Sequence, residues 1–581
     1  MTTLAHRPDT LTRDALAVLQ PGFHGTTAPD WLLRRIGEGL TSVGLFGRNI
    51  HTPAQLAALT AQLRAERDDI LVAIDEEGGD VTRLEVREGS SFPGNYALGS
   101  VDDVELTRAV ARELGSRLAA CGVNLNWAPS ADVNSDVNNP VIGVRSFGAD
   151  PALVARHTAA YVEGLQSAGV AACTKHFPGH GDTAVDSHLA LPRIDVGVDT
   201  LHARELAPFR SAITAGSKSV MSAHILLSAL DPDRPATLSP RILTGLLREE
   251  LGFDGLIVTD GIEMRAIAST YGIERGSVLA IAAGVDAICV GGGLADEGTV
   301  LRLRDALVDA VREGELPEER LADAAARVRA LADWARRVRG ASGPGAAVQE
   351  GTAPGAGTSA AGGPDIGLVA ARRAVRVTGT VEPLQEAPYV ASFAAVANIA
   401  VGDETPWGVA AELTALLPGT EAGTYGGGSG AAEVLAAAGE RRIVAVVRDL
   451  HRHSWMAAVL DGIREARPDT AVVEMGVNHA EPAGSPHIAT YGVHACADGG
   501  VRCPASPASR RTWRGSTPRA SASTRRPRRP PPSRAGAVAA PTPVRRRPPA
   551  PPRSAPPPRP CPRPWPAAPG AGPPGSCRCP G

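Results

Sequence analysis

AACTKHFPGHGDTAVDSH, residues 171–188, opens as an apolar run and closes as a loop. Its first residues read as a buried strand, because short apolar runs bounded by turn signals fill sheet cores. Pro178 then forbids an ordinary helix, and neither the 3.6 nor the 2.0 hydrophobic period continues. Positions 175–188 hold three histidines, two aspartates, a lysine and two glycines. A strand that hands over to a loop of titratable groups is the unit from which α/β barrels build active sites.

The same handover recurs along the chain. Apolar runs stand at LAVLQPGF (16–23), VGLFG (43–47), ILVAID (70–75), VNLNWAP (123–129), SVMSAH (219–224), GLIVTD (255–260) and VDAICVG (285–291). Amphipathic segments such as PAQLAALTAQLRAE (53–66) and LTRAVARELGSRLAA (106–120) lie between them. With AACTKH (171–176) that makes eight strand candidates alternating with helices, which predicts a (β/α)₈ TIM barrel over 1–340. Asp75, Lys175, His176, His224 and Asp260 stand at the C-terminal ends of these runs, the face where barrel enzymes keep their chemistry.

Beyond the barrel, residues 341–365 read as a flexible Gly/Ala/Pro linker. VANIAVGD (396–403), RRIVAVVRD (441–449) and DTAVVEMG (469–476) then read as strands, and AAELTALL (410–417) and WMAAVLDGIREA (455–466) as helices. They predict a smaller α/β domain over 366–494. After HIATYG (487–492) the composition changes abruptly. Residues 501–581 hold 24 of the 49 prolines and 17 arginines, with no lysine and no acid, so a disordered Arg/Pro-rich tail is expected over 495–581. A frameshifted reading of GC-rich coding sequence yields this mixture, and the break falls where an α/β domain still needs a closing helix. The second domain is therefore expected to be incomplete. Binding of nucleic acid or anionic surfaces by the tail is the lesser expectation.

At 581 residues the chain exceeds one core, so more than one domain is expected. Removing the 17 tail arginines from 59 basic residues leaves 42 against 62 acidic, a body charge of −20 that repels polyanions. Nucleic acid is thus an unexpected ligand. No run of 18 apolar residues predicts a membrane span, and no signal peptide is visible, which favours the cytoplasm. Cys121, Cys173 and Cys289 lie in apolar runs and read as reduced core residues. No metal site or cofactor motif emerges. Oligomeric state is left open.

Asp186-Ser187-His188 sets a carboxylate two residues from an imidazole, a spacing that lets the Asp orient the ring and stabilise its protonated form. Many D-x-H triplets are surface loops; its place in a Gly-rich loop after a strand favours chemistry. Asp260 reads either as a cap for the following helix or as a carboxylate projecting into the barrel mouth. Asp75, in AIDEEGGDVTRL, carries the same two readings, with Arg83 near enough in sequence to pair with a carboxylate or a sugar hydroxyl. Arg145 is the other cation on a loop after a strand. Lys175 is one of only two lysines in the chain, which marks it out.

KHFPGHG followed by four residues and D-x-H closely resembles the signature of the glycoside hydrolase family 3 β-N-acetylglucosaminidases, including those of peptidoglycan recycling. IDEEGG, NWAPSADVN, RSFG and VTDGIEM resemble that family's other blocks in the same order. The resemblance covers 1–340. It implies a retaining exo-enzyme without cofactor or metal that removes terminal β-linked N-acetylglucosamine from peptidoglycan fragments or chitooligosaccharides. Asp260 would be the nucleophile, and His188, assisted by Asp186, the general acid and then base. Asp75, Arg83, Arg145, Lys175 and His176 would bind the sugar, while His180 would shape the loop. Gly261 departs from the pattern, since many relatives carry a larger residue after the nucleophile.

Three alternatives stand beside this reading. A histidine acid/base does not repel phosphate, so a phosphorylase of the same family is the first. A metal-dependent barrel hydrolase using His176, His180, His188 and Asp260 is the second, weakened by the absent H-x-H on the first strand. A binding-only carbohydrate protein is the third, weakened because both Asp260 and His188 are present.

Overall fold

The computed structural model describes residues 9–341, 365–394 and 407–492, all within one compact unit, Met1–Pro507. The expected linker, the VANIAVGD strand and the tail lie outside the described residues, apart from the linker's two end residues.

All eight apolar runs of the first part contain strands: β1 Leu19–Pro21, β2 Ser42–Leu45, β3 Leu71–Ile74, β4 Leu125–Asn126, β5 Ala171–Phe177, β6 Ser219–Ser222, β7 Leu256–Thr259 and β8 Ile288–Val290. Helices fall between them, so each strand re-enters in the same direction and every pairing is parallel. Strands β2 to β7 form one sheet in chain order, while β1 pairs with β8. A bridge from Val258 to Ala287 joins the two groups, and Gln20 Nε2 donates to Ser42 Oγ at 2.7 Å across the gap between β1 and β2. Among the described residues no ladder closes that gap, so the expected barrel is met as a parallel half-barrel with a further strand pair.

The helices begin where their caps dictate. Thr52 accepts from the Gln55 amide at 3.1 Å ahead of Pro53–Glu66, with Pro53 in the first turn. Asp103 does the same for Val104–Ala120, accepting from the Leu106 amide at 3.1 Å.

Strand side chains alternate between two cores. Val72, Ile74, Ala172, Val220, Ile257, Ile288 and Val290 join the large cluster under the helices. Their neighbours Leu71, Ala73, Leu125, Trp127, Ala171, Cys173, Met221, Leu256, Val258 and Cys289 form a separate cluster enclosed by the strands. Helix Glu318–Ala341 contributes Val328, Leu331, Ala332 and Ala335 to that inner cluster. The inner register therefore runs 71-73-75 on β3, 171-173-175 on β5 and 256-258-260 on β7. Asp75, Lys175 and Asp260 are the next steps of it.

The second part is an α/β domain on a six-stranded sheet: β9 Arg376–Thr378, β10 Tyr389–Phe393, β11 Glu421–Tyr425, β12 Ile443–Val447, β13 Ala471–Glu474 and β14 His487–Ala489. Their order is β9-β14-β13-β12-β10-β11, parallel except for β9 against β14. The expected strands in RRIVAVVRD and DTAVVEMG are β12 and β13, and the two expected helices are Ala410–Leu416 and Ser454–Ala466. Strands β9, β10, β11 and β14 escape the sequence reading, and β11 is an edge strand exposed at most positions, with little apolar signal to detect. Among the described residues no helix is long and apolar enough to cross a membrane, and Cys121, Cys173 and Cys289 are free and buried.

Candidate active site

At the carboxyl ends of the first eight strands lies a cavity of about 540 Å³, a volume suited to a small ligand. Its floor is the inner register: Asp75, Trp127, Lys175, Met221, Asp260 and Cys289 all line it. His176 lines it from the end of β5, and Arg83, Arg145, His180 and His188 from the loops. Asp186 does not line the cavity but holds His188. All eight residues singled out from sequence thus converge on one site.

Lys175 is almost wholly buried, and its Nζ lies 2.5 Å from Asp75 Oδ1 and 2.6 Å from Glu77 Oε1. Glu77 in turn accepts a forked pair from Arg145, Nε to Oε2 at 3.0 Å and Nη2 to Oε1 at 2.7 Å. Burial opposes ionisation of Glu77, yet Arg145 and Lys175 carry its carboxyl down to about 2. Arg83 approaches Asp75 at 3.9 Å. The result is a linked row of fixed charges, Arg83–Asp75–Lys175–Glu77–Arg145, whose outer members face the cavity. Such a row is suited to gripping a ligand rich in hydroxyls.

His176 Nδ1 lies 2.7 Å from Asp132 Oδ2, and Arg145 Nη2 lies 3.4 Å from His176 Nε2. The contact with Asp132 fixes the orientation of the ring, with Nε2 turned toward Arg145. Asp132 also takes the His176 amide at 3.2 Å, the His180 amide at 2.7 Å and Ser130 Oγ at 3.0 Å. Burial raises its carboxyl, but His176 and His180 more than offset that and hold it well below the usual carboxylate range. This buried carboxylate pins the start of the loop through the His180 amide, while among the described residues neither nitrogen of the His180 ring, which lines the cavity, has a hydrogen-bond partner. Gly181 makes the same turn possible: a Cβ there would stand 1.7 Å from the Val133 carbonyl oxygen.

Farther along the loop, Asp186 Oδ1 accepts from the His188 amide and lies 2.8 Å from His188 Nδ1. Burial lowers the imidazole's proton affinity, but the Asp186 hydrogen bond and the charges of Asp260 and Asp186 outweigh it, so the pKa is raised above the usual histidine value. The remaining nitrogen, Nε2, is the one left to present a proton. The loop is moored by Arg204, whose Nη2 donates to Asp182 Oδ2 at 2.7 Å, while Ser135 Oγ donates to Asp182 Oδ1 at 3.1 Å.

Asp260 caps no helix. The following helix, Arg265–Tyr271, begins after Met264, and Asp260 Oδ1 accepts instead from the Gly261 amide at 2.8 Å. Burial raises its carboxyl, but His176, His224, His188 and that amide overcome it and hold Asp260 well below the usual range. His224 is kept in place by Thr237 Oγ1 at 2.8 Å and the Gly261 carbonyl at 3.0 Å. A carboxylate held in its anionic form and an imidazole of raised proton affinity thus line the same cavity. Glu263, the other carboxylate on this side, is engaged through one oxygen: its Oε1 accepts from the amides of Gly291, Gly292 and Gly293 at 2.9, 2.5 and 3.3 Å, while its Oε2 has no hydrogen-bond partner among the described residues.

Sequence reasoning missed Glu77, Asp132 and Trp127. Trp127, Met221 and Cys289 were accessible by extending the inner register along each strand. Glu77 and Asp132 carry no local signal, because their partners lie 98 and 44 residues away in Lys175 and His176. For the metal alternative, no group of three or more His, Cys, Asp or Glu among the described residues is arranged to hold a metal ion.

Residues 33–331 match the model of the glycosyl hydrolase family 3 N-terminal domain. The β-hexosaminidase A of Pseudoalteromonas piscicida is 37% identical over 312 residues, 49% of this chain and 52% of that protein, so the chain spans about half of it. The β-hexosaminidase of Neisseria meningitidis serogroup C is 37% identical over 265 residues, 44% of this chain and 73% of that protein. Among solved structures, a glycoside hydrolase family 3 β-N-acetylglucosaminidase from Paenibacillus sp. str. FPU-7 superposes with a TM-score of 0.73 at 34% identity, covering 83% of this chain and 94% of that one. Fold, site and relatives together define a glycoside hydrolase. The chain belongs to glycosyl hydrolase family 3.

Proposed function

We propose that this protein is a retaining exo-β-N-acetylglucosaminidase that removes terminal β-linked N-acetylglucosamine from peptidoglycan fragments or chitooligosaccharides. The observation that carries this reading is the pairing of an anionic, strand-end Asp260 with a His188 braced by Asp186, in a cavity whose other carboxylates are already engaged. Asp260 attacks the anomeric carbon, and His188 Nε2 protonates the departing oxygen. Water, deprotonated by His188, then releases the sugar from Asp260. The oxocarbenium-like transition state is stabilised by the nearby carboxylate charge. Asp75, Arg83, Arg145, Lys175 and His176 bind the sugar's polar groups. The (β/α)₈ barrel over 1–340 and the smaller domain over 366–494 belong to the same reading. So does a cytoplasmic site of action, which the three free, buried cysteines support.

Turnover of p-nitrophenyl β-N-acetylglucosaminide, with products analysed in phosphate and in phosphate-free buffer, tests this directly. Free N-acetylglucosamine in both buffers is expected. A sugar 1-phosphate in phosphate buffer would instead favour the phosphorylase reading, which His188 supports because a neutral base does not repel the incoming anion.

The pH profile follows from the site. Glycosylation needs His188 protonated, and its pKa is raised, so the alkaline limb of kcat/KM is expected above the ordinary histidine value. Asp186→Asn removes the main support for that proton and is expected to move the limb to lower pH. Asp260 stays ionised far into acid, so it does not set an acid limb in the neutral range. An unchanged alkaline limb in Asp186→Asn would assign that limb to another group.

A further inference from the structure

We infer that the second α/β domain acts as a brace for the sugar-binding row, with Arg448 as a positioning residue that works through Asp80 on Glu77 and Arg145. The inference rests on the sugar-binding role proposed for that row.

Arg448 stands just past the end of β12 and forms an ion pair with Asp80, which is almost wholly buried. Asp80 lies in the tight loop after β3, three residues from Glu77. In that loop the Glu77 amide donates to the Val81 carbonyl at 2.9 Å, and the Gly79 amide donates to the Phe92 carbonyl at 2.8 Å. A displacement of Asp80 is therefore passed to Glu77 through a short, hydrogen-bonded turn. Glu77 is the carboxylate that holds Lys175 and Arg145 together.

The second domain also backs the Arg145 loop from its other side. His451 Nε2 lies 2.9 Å from the Val137 carbonyl oxygen. A Cβ on Gly143 would touch Val477 at 3.8 Å, and one on Gly492 would meet Val144 at 3.0 Å. Gly79 is equally confined, since a Cβ there would stand 2.7 Å from Gly94 and 3.1 Å from the Gly492 carbonyl oxygen. Tyr491 packs its ring 5.6 Å from that of Tyr96, next to Asn95, whose Nδ2 donates to the Arg145 carbonyl at 2.8 Å. Both loops that carry the Glu77–Arg145 fork thus end against the second domain.

The bracing side is itself rigidly built. Glu474, buried at the end of β13, accepts from the amides of Asp449, Leu450 and Gly476 at 2.9, 3.1 and 2.7 Å. Asp449 Oδ1 accepts from the Val477 amide at 2.8 Å. Six backbone and side-chain groups are spent on fixing the segment that presents Arg448, none of which contacts the cavity. A buried ion network such as Lys175–Glu77–Arg145 is costly to desolvate and tolerates poor geometry badly, so its loops need support from outside the half-barrel.

The experiment uses the full chain and three variants: Arg448→Lys, Arg448→Met, and Arg448→Met combined with Asp80→Leu. The paired variant removes Asp80's carboxylate together with its partner, and Asp449, which also faces Arg448 at 3.9 Å, keeps Arg452 at 3.4 Å, so it guards against simple unfolding. Kinetics with p-nitrophenyl β-N-acetylglucosaminide are expected to show KM raised about tenfold in Arg448→Met and in the paired variant, with kcat held within about threefold, the pattern of lost uniform binding. Arg448→Lys should recover most of the affinity, and circular dichroism should stay native in the paired variant. Wild-type KM in a folded paired variant would overturn the inference, as would equal losses in kcat and kcat/KM. Absence of turnover by the wild-type protein would instead overturn the function proposed above.

Discussion

Replacing Asp260 with asparagine or alanine is expected to lower turnover on the order of 10⁴-fold or more, the scale reached when the nucleophile of a covalent mechanism is lost. The expectation rests on placement. Asp260 is the step after Val258 in the inner register of β7, so it lines the cavity floor and contributes little to the apolar core. Its far-UV circular dichroism should match the parent. The anion is stabilised by His176, His224, His188 and the Gly261 amide, which keep it charged at neutral pH. A 5-fluoro glycoside that accumulates the intermediate should label Asp260 in the parent protein, read by peptide mass spectrometry. Labelling of Asp75 or Glu263 would move the nucleophile elsewhere.

The second large effect belongs to His188, and its signature is selectivity among leaving groups. His188→Ala should slow the cleavage of substrates with poor leaving groups by about 10²- to 10⁴-fold, the usual range for loss of a general acid. Activated phenolic glycosides need little protonation and should retain much of their glycosylation rate, measured in single turnovers. Asp186→Ala should show a milder form of the same pattern, because it leaves the imidazole present but unbraced. Losses that are equal across leaving groups would mean that His188 does not protonate the departing oxygen. The loop from Pro178 to His188 would then need another role, such as closing over bound sugar.

Legibility differed between the two halves of the molecule. The first eight strands were readable because each is a short apolar run set off from the next by a helical segment, and four of them close on polar residues, at Asp75, Lys175-His176, His224 and Asp260. In the second domain, Ile443–Val447 and Ala471–Glu474 are buried at nearly every position and announce themselves in the same way. Glu421–Tyr425 lies at the sheet edge, where one neighbour and much solvent leave a mixed composition that resembles a loop. Asp260 was readable as a strand-end carboxylate, but its two readings separated only when the next helix was seen to start after Met264.

The sequence by itself determined the alternation of strand and helix, the side of the sheet where chemistry gathers, and the local Asp186–His188 pair. Each depends on spacing along the chain, which periodicity and short-range turn geometry control. Only the tertiary structure decided that Glu77 joins Lys175 to Arg145, that Asp132 orients His176, and that Arg448 reaches Asp80 from another domain. Those pairs are separated by 44 to 368 residues, and no local propensity encodes which buried charge will meet which. Burial forces such charges to find partners, and the packing of strands and loops alone determines which partners are within reach.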